Sequence, residues 1–256
     1  LRITAQLISA ADGSHLWSER YDREMTDVFA IQDEISQAIA GKLRLRLAAD
    51  QPLLKRYTED IEAYNLYLKG RYHRDKWTPE ELAKSKEYFE SAIAMDQNYA
   101  LAWSGLAYYY YLLGYFGYMR SKAAFAQSNQ ITLKALKLDE MLPEAHAWAG
   151  AFCAYEFDWN GAEREFRRAL ELNSRSVDVW TCYDFFYLVP MRRLDEAIAG
   201  IQKLLERDPL SPFLWFRLGL WYTYARQQDR AIEQLRNALD LDPRHMMSLV
   251  LIGMLY

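Results

Sequence analysis

Small and large apolar residues recur at helical spacing along most of the chain. In the stretch DWNGAEREFRRALELN, residues 158 to 173, Ala162, Phe166 and Ala169 lie three or four positions apart and therefore share one face of a helix. Two small residues around a ring predict that a second helix packs closely at the alanines and leaves room for the ring. The partner of this face has to be sought elsewhere in the chain.

Two sets of positions repeat this arrangement with a common period. Both sets advance in steps of 43, 34, 35 and 34 residues. One helical hairpin cannot bury its apolar face alone, so the shared period predicts a stack of hairpins with a continuous core. In the crossing of two helices, we expect Gly150 to meet Ala162, Gly219 to meet Ala231, and Phe166 to fill the space beside them. The first set comprises Ser85, Phe89 and Ala92, then Ser128, Thr132 and Ala135, then Ala162, Phe166 and Ala169, then Ala197, Ile201 and Leu204, then Ala231, Leu235 and Ala238; the second begins at Trp103, His146, Trp180, Trp215 and Leu249.

This pattern resembles the tetratricopeptide repeat (TPR), in which Trp, Leu-Gly and Tyr on a first helix precede Ala, Phe, Ala and Pro on a second. Pro209 and Pro243 occupy the position of the final proline. The first repeat departs from the pattern, since an insertion, Lys76-Trp77-Thr78-Pro79, lengthens its turn, with Thr78 and Pro79 suited to start the second helix. The resemblance implies an all-α, right-handed α-solenoid over 61–256, with repeats at about 61–99, 100–142, 143–176, 177–211 and 212–245 and a half-repeat at 246–256.

The first fifty residues follow a different pattern. Residues 2 to 21 alternate between apolar and polar around Asp12-Gly13, which predicts a β-hairpin, and a helix is predicted over 27–48. The stretch ITAQLISAADGSHLWSERYDREMTDVFAIQDEI resembles the end of a TolB amino-terminal-like α/β domain, which precedes TPRs in a bacterial family. Residues 1–50 are then the last hairpin and helix of that domain, and 51–60 a linker. In that family the module accompanies a cyclase, a Ser/Thr kinase or a winged-helix domain.

Charge and composition narrow the classes of partner. With 31 basic and 35 acidic side chains, the net charge of −4 provides no basic surface for nucleic acid or an anionic membrane. Residues 97 to 119 carry no charge and could cross a bilayer, but the run contains tyrosines throughout and fits the repeat, so no membrane span is predicted. Cys153 and Cys182 lie in apolar helical runs as buried thiols. We expect a cytoplasmic location, or an extracytoplasmic one behind an upstream membrane span.

Candidate chemistry is sparse. No two histidines lie at metal-ligand spacing, Gly41-Lys42 lacks the glycines of a phosphate-binding loop, and Glu163, Glu165 and Glu171 suit a solvated helix face. We therefore expect no enzyme activity, no cofactor and no metal in these residues.

The resemblance implies that the inner surface, lined by the first helices, binds a partner. This groove is expected to be aromatic and nearly uncharged, and it lacks the lysines and asparagines with which some TPR proteins grip a C-terminal carboxylate. In the alternative interpretation, its rings pack against one another or against the head helix. The expected groove residues are Tyr64, Tyr67, Arg71, Leu101, Ser104, Tyr108, Tyr111, Glu144, Ala147, Phe185, Phe213, Phe216 and Leu220.

These expectations favour a non-enzymatic scaffold of a bacterial signalling protein, binding a protein or peptide or another domain of its own chain. Two alternatives stay open: the substrate-recruiting half of an enzyme such as a cyclase or Ser/Thr kinase, and a self-association module. Residues 246 to 256 carry Leu249, Ile252, Gly253 and Tyr256 in the register of a first helix, with few polar residues between them. We expect this stripe to be covered by further repeats of a longer protein or by a homodimer.

Overall fold

The computed structural model describes residues 2–8, 15–22, 34–35 and 57–256. Strands β1 (Arg2–Ile8) and β2 (His15–Asp22) form an antiparallel pair, from Arg2 opposite Asp22 to Leu7 opposite Trp17, with an irregularity at Ile8. This confirms the β-hairpin. The Asp12-Gly13 turn and most of the helix predicted over 27–48 lie outside the described residues.

Eleven α-helices lie within residues 57–256, and the described residues Glu34 and Ile35 are helical too. They pair into hairpins, and each hairpin packs on the next, which confirms an all-α solenoid after the strands. The helices are α1 (Ile61–Arg74), α2 (Pro79–Met95), α3 (Ala100–Tyr115), α4 (Ser121–Leu138), α5 (Pro143–Tyr155), α6 (Trp159–Leu172), α7 (Val177–Tyr183), α8 (Leu194–Leu205), α9 (Pro212–Tyr224), α10 (Gln228–Leu241) and α11 (Met246–Leu255).

Short polar side chains fix where several helices begin. Thr78 accepts a hydrogen bond from the backbone N–H of Glu81, and Pro79 is the first residue of α2, as the insertion predicted. Asp158 caps α6 in the same way through the N–H of Gly161, at 2.9 Å. The turns after the second helices also repeat, because a side-chain oxygen accepts the N–H two residues later at Asp96, Asp139, Asn173 and Asp242.

The repeat tryptophan ties the first helix to the turn before it. In three repeats its indole N–H donates to the backbone carbonyl six residues earlier, at 2.8 to 3.0 Å. His146 replaces this tryptophan in the third repeat, and its Nε2 lies 2.9 Å from the carbonyl oxygen of Glu140, six residues earlier. The histidine therefore preserves the contact. The three indole donors are Trp103, Trp180 and Trp215, and their acceptors are Gln97, Ser174 and Pro209.

Glycines admit large side chains where two helices of a hairpin cross. A Cβ atom added at Gly150 would lie 3.0 Å from the ring of Phe166, and one at Gly219 would lie 2.8 Å from Cγ of Leu235. The nearest group at Gly150 is thus the ring itself. The carbonyl oxygen of Ala231 lies 3.2 Å from the Cβ atom added at Gly219, which confirms the expected contact between Gly219 and Ala231.

The fourth repeat is irregular. Asp184 stands where Gly150 and Gly219 stand in their repeats, and here the chain forms a π-helical turn, Asp184–Leu188. The small residue lies instead on α8, where Gly200 faces the ring of Trp180. A buried carboxylate cannot substitute for a glycine against an apolar side chain, so the backbone rearranges locally and the carboxylate turns to polar partners on α9.

Candidate functional site

The first helices α1, α3, α5 and α7 pack side by side, and we call the side of the solenoid that they and α9 line the concave face, after the architecture of TPR proteins. All of the residues expected there are at least half-buried. The fully buried ones are Tyr67, Ser104, Tyr111, Ala147 and Phe216; the half-buried ones are Tyr64, Arg71, Leu101, Tyr108, Glu144, Phe185, Phe213 and Leu220.

Tyr67 belongs to the core of the first hairpin. Its side chain is only 4% exposed, and its ring centroid lies 5.8 Å from that of Phe89 and 5.4 Å from that of Tyr99. Burial raises the pKa of its hydroxyl above the usual range. The ring supports the repeat and presents little surface to a partner.

Rings from the second, third and fourth repeats pack together at the centre of the concave face. The centroid of Trp148 lies 4.9 Å from that of Tyr108 and 5.1 Å from that of Tyr111. Tyr111 also contacts Phe186, at 5.2 Å, edge to face. The rings of the expected groove therefore pack against one another, as the alternative interpretation proposed.

Trp77, in the inserted turn of the first repeat, reaches across to the fifth repeat. Its ring centroid lies 5.8 Å from that of Phe213 and 6.1 Å from that of Phe216, both edge to face, and 6.1 Å from that of Phe116. From the sequence alone, Trp77 is predicted only to be part of a longer turn. A tryptophan inside a four-residue insertion was the available signal.

An ion pair joins the first repeat to the fourth. The Nη2 of Arg74 donates to Oδ1 of Asp178 at 3.2 Å, and its Nε donates to Oδ1 of Asp75 at 2.7 Å. Its guanidinium group also lies over the ring of Tyr108, 4.4 Å from the centroid. The Nη2 of Arg71 lies 4.0 Å from Oδ2 of Asp178. The ion pair of Arg74 and Asp178 thus joins two residues of the concave face that are far apart in sequence.

A second buried ion pair joins the fourth repeat to the fifth. Arg217 donates through Nη2 to Oδ1 of Asp184 and, at 3.1 Å, to the carbonyl oxygen of Thr181. The indole N–H of Trp221 donates to the other carboxylate oxygen of Asp184 at 2.9 Å. The expectation of a nearly uncharged face is therefore wrong. An acidic residue at a glycine position was the signal that could have revealed this pair.

Asp178, whose side chain is 17% exposed, and Asp184, which is fully buried, differ in the balance between burial and charge. Burial raises the pKa of Asp178, but the guanidinium groups of Arg74 and Arg71 outweigh it and hold the pKa below its usual value. At Asp184, burial raises the pKa to about 6, although Arg217 and Trp221 favour the carboxylate. Two arginines face the first aspartate and one faces the second. Burial also raises the pKa of Glu144, aided by the nearby charge of Asp178.

A cavity of about 50 Å³ remains between the rings, enough for a few water molecules. Trp77, Tyr108, Phe185, Phe216 and Arg217 contribute to its lining. Two buried donors, Nε1 of Trp77 and Nε of Arg217, have no hydrogen-bond acceptor among the described residues. Within residues 57–256 and the described strand positions, no group of His, Cys, Asp and Glu side chains could hold a metal ion.

Solved structures share this architecture. TTC0263, a TPR protein of Thermus thermophilus, matches with a TM-score of 0.57 at 14% identity, over 75% of this chain and 98% of that one. Human IFIT1, solved as a dimer with m7Gppp-AAAA, matches with a TM-score of 0.62 at 15% identity, over 90% of this chain and 54% of that one. The solenoid has the TPR fold.

The chain is similar to a protein named as an adenylate cyclase and to a transcriptional regulator, and no family model matches it. The protein named "Putative adenylate cyclase 3" of Rhizobium meliloti (strain 1021) is 33% identical over 42% of this chain. Transcriptional regulator HilA of Salmonella typhimurium is 24% identical over 64% of this chain. The matched segments span 19% and 29% of those two proteins. None of the described helices is long and apolar enough to cross a membrane.

Proposed function

We propose that the TPR solenoid is a non-catalytic docking module that binds a segment of another protein, or of another domain of its own chain, on its concave face. One observation carries the proposal: Tyr108, Phe185 and Leu220, from three different repeats, meet at one cavity and keep part of their surface exposed. Aromatic side chains give a large contact area for little loss of conformational freedom and are enriched where binding energy concentrates.

The charges of the concave face favour an apolar or aromatic segment over an acidic tail. Arg74 and Arg217 already face Asp178 and Asp184 inside the chain, so an incoming carboxylate would have to replace a buried partner. The net charge of −4 disfavours nucleic acid as the partner. The rings are the part of this face that can offer new contact area.

The relatives support a regulatory setting. One carries the name of an adenylate cyclase and the other that of a transcriptional regulator, and each extends far beyond the segment that matches this chain. We infer that the module couples docking to an output domain of a bacterial regulatory protein. In the alternative, the module recruits the substrate of a cyclase or kinase. The activity of such an enzyme can be measured with and without the module. A change in substrate affinity alone would favour this alternative.

The test compares two paired variants of the whole chain as bait in the native host, with partners identified by cross-linking and mass spectrometry. Phe213→Ala with Leu220→Ala removes half-buried groove surface, and Leu68→Ala with Tyr72→Ala removes exposed surface of α1 as the control. We expect the first pair alone to lose partners, with unchanged helicity for both. Retention of the same partners by the groove variant would contradict the proposal. Tyr67 is unsuitable, because its ring lies in a hairpin core.

Helix α11 supports a second proposal, self-association through residues 246–256. Gly253 stands in the register of Gly150 and Gly219, yet a Cβ atom added there would meet nothing within 4 Å. Met254 is 75% exposed. We expect light scattering after size exclusion to show a dimer that Met254→Lys dissociates, while Phe157→Lys, at an equally exposed ring, leaves it intact. A wild-type chain that is monomeric at high concentration would contradict this proposal.

A further inference from the structure

One residue of each hairpin turn adopts a left-handed backbone conformation. The five residues have φ between 57° and 76°. Four of them are exposed, as a turn residue usually is, but Trp77 is only 9% exposed. The first repeat has therefore placed a large ring inside the molecule at a position that the other repeats leave in solvent. The five residues are Trp77, Gly117, Phe157, Arg192 and Arg226.

The surroundings of Trp77 belong to other repeats. Phe116 ends α3 in the second repeat, and Phe213 and Phe216 lie on α9 in the fifth. These three rings form what we call the indole pocket. Three residues before Trp77, Arg74 is paired with Asp178, which holds the inserted turn against the concave face.

Two features of Trp77 are unfavourable for a ring whose only role is packing. A bulky residue with φ of 57° is strained, because a left-handed backbone suits glycine and, less well, asparagine. Its indole N–H is buried without a hydrogen-bond acceptor among the described residues. The strained backbone therefore makes Trp77 a less favourable occupant of the pocket. An aromatic side chain of a partner would not carry this backbone strain.

We propose that the indole pocket is a binding site for an aromatic side chain of a partner, and that Trp77 occupies it in the free chain as an internal competitor. This rests on the proposed docking function and specifies the partner: a segment with an indole-sized ring that enters between Phe116, Phe213 and Phe216. Binding displaces the turn of the first repeat and separates Arg74 from Asp178, so docking opens the concave face.

The test removes the internal ring and supplies a free one. Trp77→Gly empties the pocket and relieves the backbone strain, since glycine adopts positive φ readily. Arg226→Gly is the matched control, at an exposed turn residue with φ of 60°. The probe is indole, with imidazole as a smaller polar ring for comparison, and thermal unfolding is followed by calorimetry.

We expect indole, but not imidazole, to raise the unfolding temperature of Trp77→Gly saturably, by at least about 2 °C. Wild type and Arg226→Gly should not respond, and adding Phe216→Ala to Trp77→Gly should weaken indole binding severalfold. A folded Trp77→Gly chain that ignores indole would overturn the proposal. If Trp77→Gly and the left-handed-tolerant Trp77→Asn both fail to fold even with indole present, the ring is a fixed part of the core and the proposal is equally wrong.

This experiment is independent of any partner. Retention of the same partners by the groove variant in the bait experiment would leave an indole-binding pocket without a known ligand, whereas a pocket that does not bind indole would leave docking possible at other rings of the concave face. The two failures are therefore distinguishable.

Discussion

The contacts within the hairpins and the contacts across the concave face are built on different principles. Within the hairpins, the same devices recur in several repeats: an indole or imidazole bound to the preceding turn, and a glycine opposite a large side chain. Across the concave face, each contact occurs once, as with Trp77 on α9 or Arg74 on Asp178. The repeated residues thus determine the structure of each hairpin. Residues that occur in one repeat only determine the contacts between distant repeats.

The largest expected effect concerns a singular contact, the pair of Arg217 and Asp184. Arg217→Met leaves a fully buried carboxylate without its counter-charge and should lower the free energy of unfolding by about 3–5 kcal/mol near pH 8. Arg193→Met removes the partner of Glu196 on the surface and should cost about 0–1 kcal/mol. Urea denaturation of both variants measures the difference. A similar loss of unfolding free energy in both variants would show that Arg217 contributes no more to stability than a surface ion pair.

The contributions of Asp184 and Asp178 to the free energy of unfolding should change with pH in opposite directions. The folded pKa of Asp184 is raised to about 6, so its contribution to stability is greatest below about pH 4 and is lost as the pH rises to about 6. Compared with Asp184→Asn, wild type should lose roughly 3 kcal/mol across that window. The folded pKa of Asp178 is lowered, so its contribution is present above about pH 4 and is lost on further acidification.

Unfolding free energies of wild type, Asp184→Asn and Asp178→Asn between pH 3 and pH 8 would show these trends. Parallel pH profiles for the two variants would mean that the two carboxylates share one environment, contrary to the number of arginines that face each of them.

A repeated contact gives the next effect. Gly150→Leu forces a side chain into the ring of Phe166 and should lower the free energy of unfolding by about 1–3 kcal/mol. Ala199→Leu, at an exposed position of α8, should change it little. Thermal and urea unfolding would compare the two. Equal tolerance of leucine at both positions would argue against the glycine crossing.

The smallest effect tests whether His146 stands in for the repeat tryptophan. His146→Trp should keep the hydrogen bond to the carbonyl of Glu140 and remain near wild-type stability, whereas His146→Ala should lose about 1 kcal/mol. His146 also lies 2.7 Å from Glu165, so Glu165→Gln serves as a control that removes the charge and leaves the turn contact. If the alanine variant were as stable as the tryptophan variant, the turn contact would contribute nothing.

The sequence predicts the helical hairpins well but predicts the contacts between distant repeats poorly, for a physical reason. Ala162 and Phe166 report on their neighbours within one repeat, because helical spacing fixes which residues face each other. Whether Arg74 meets Asp178 depends on the small rotation between repeats, summed over several of them, and no local pattern contains that sum. The expected groove residues lie on the first helices and on the π-helical turn after α7, and the sequence does not identify their partners Trp77, Asp178 and Arg217.

Side chains of the first repeat contact the fourth and fifth repeats directly across the concave face. A double-mutant cycle across Arg74 and Asp178, 104 residues apart, tests these contacts most directly, using Arg74→Met, Asp178→Asn and the double variant in urea denaturation. We expect a coupling energy of about 0.5–3 kcal/mol, as for residues in contact. Additive effects, within about 0.3–0.5 kcal/mol, would show that the two ends do not meet and would contradict it.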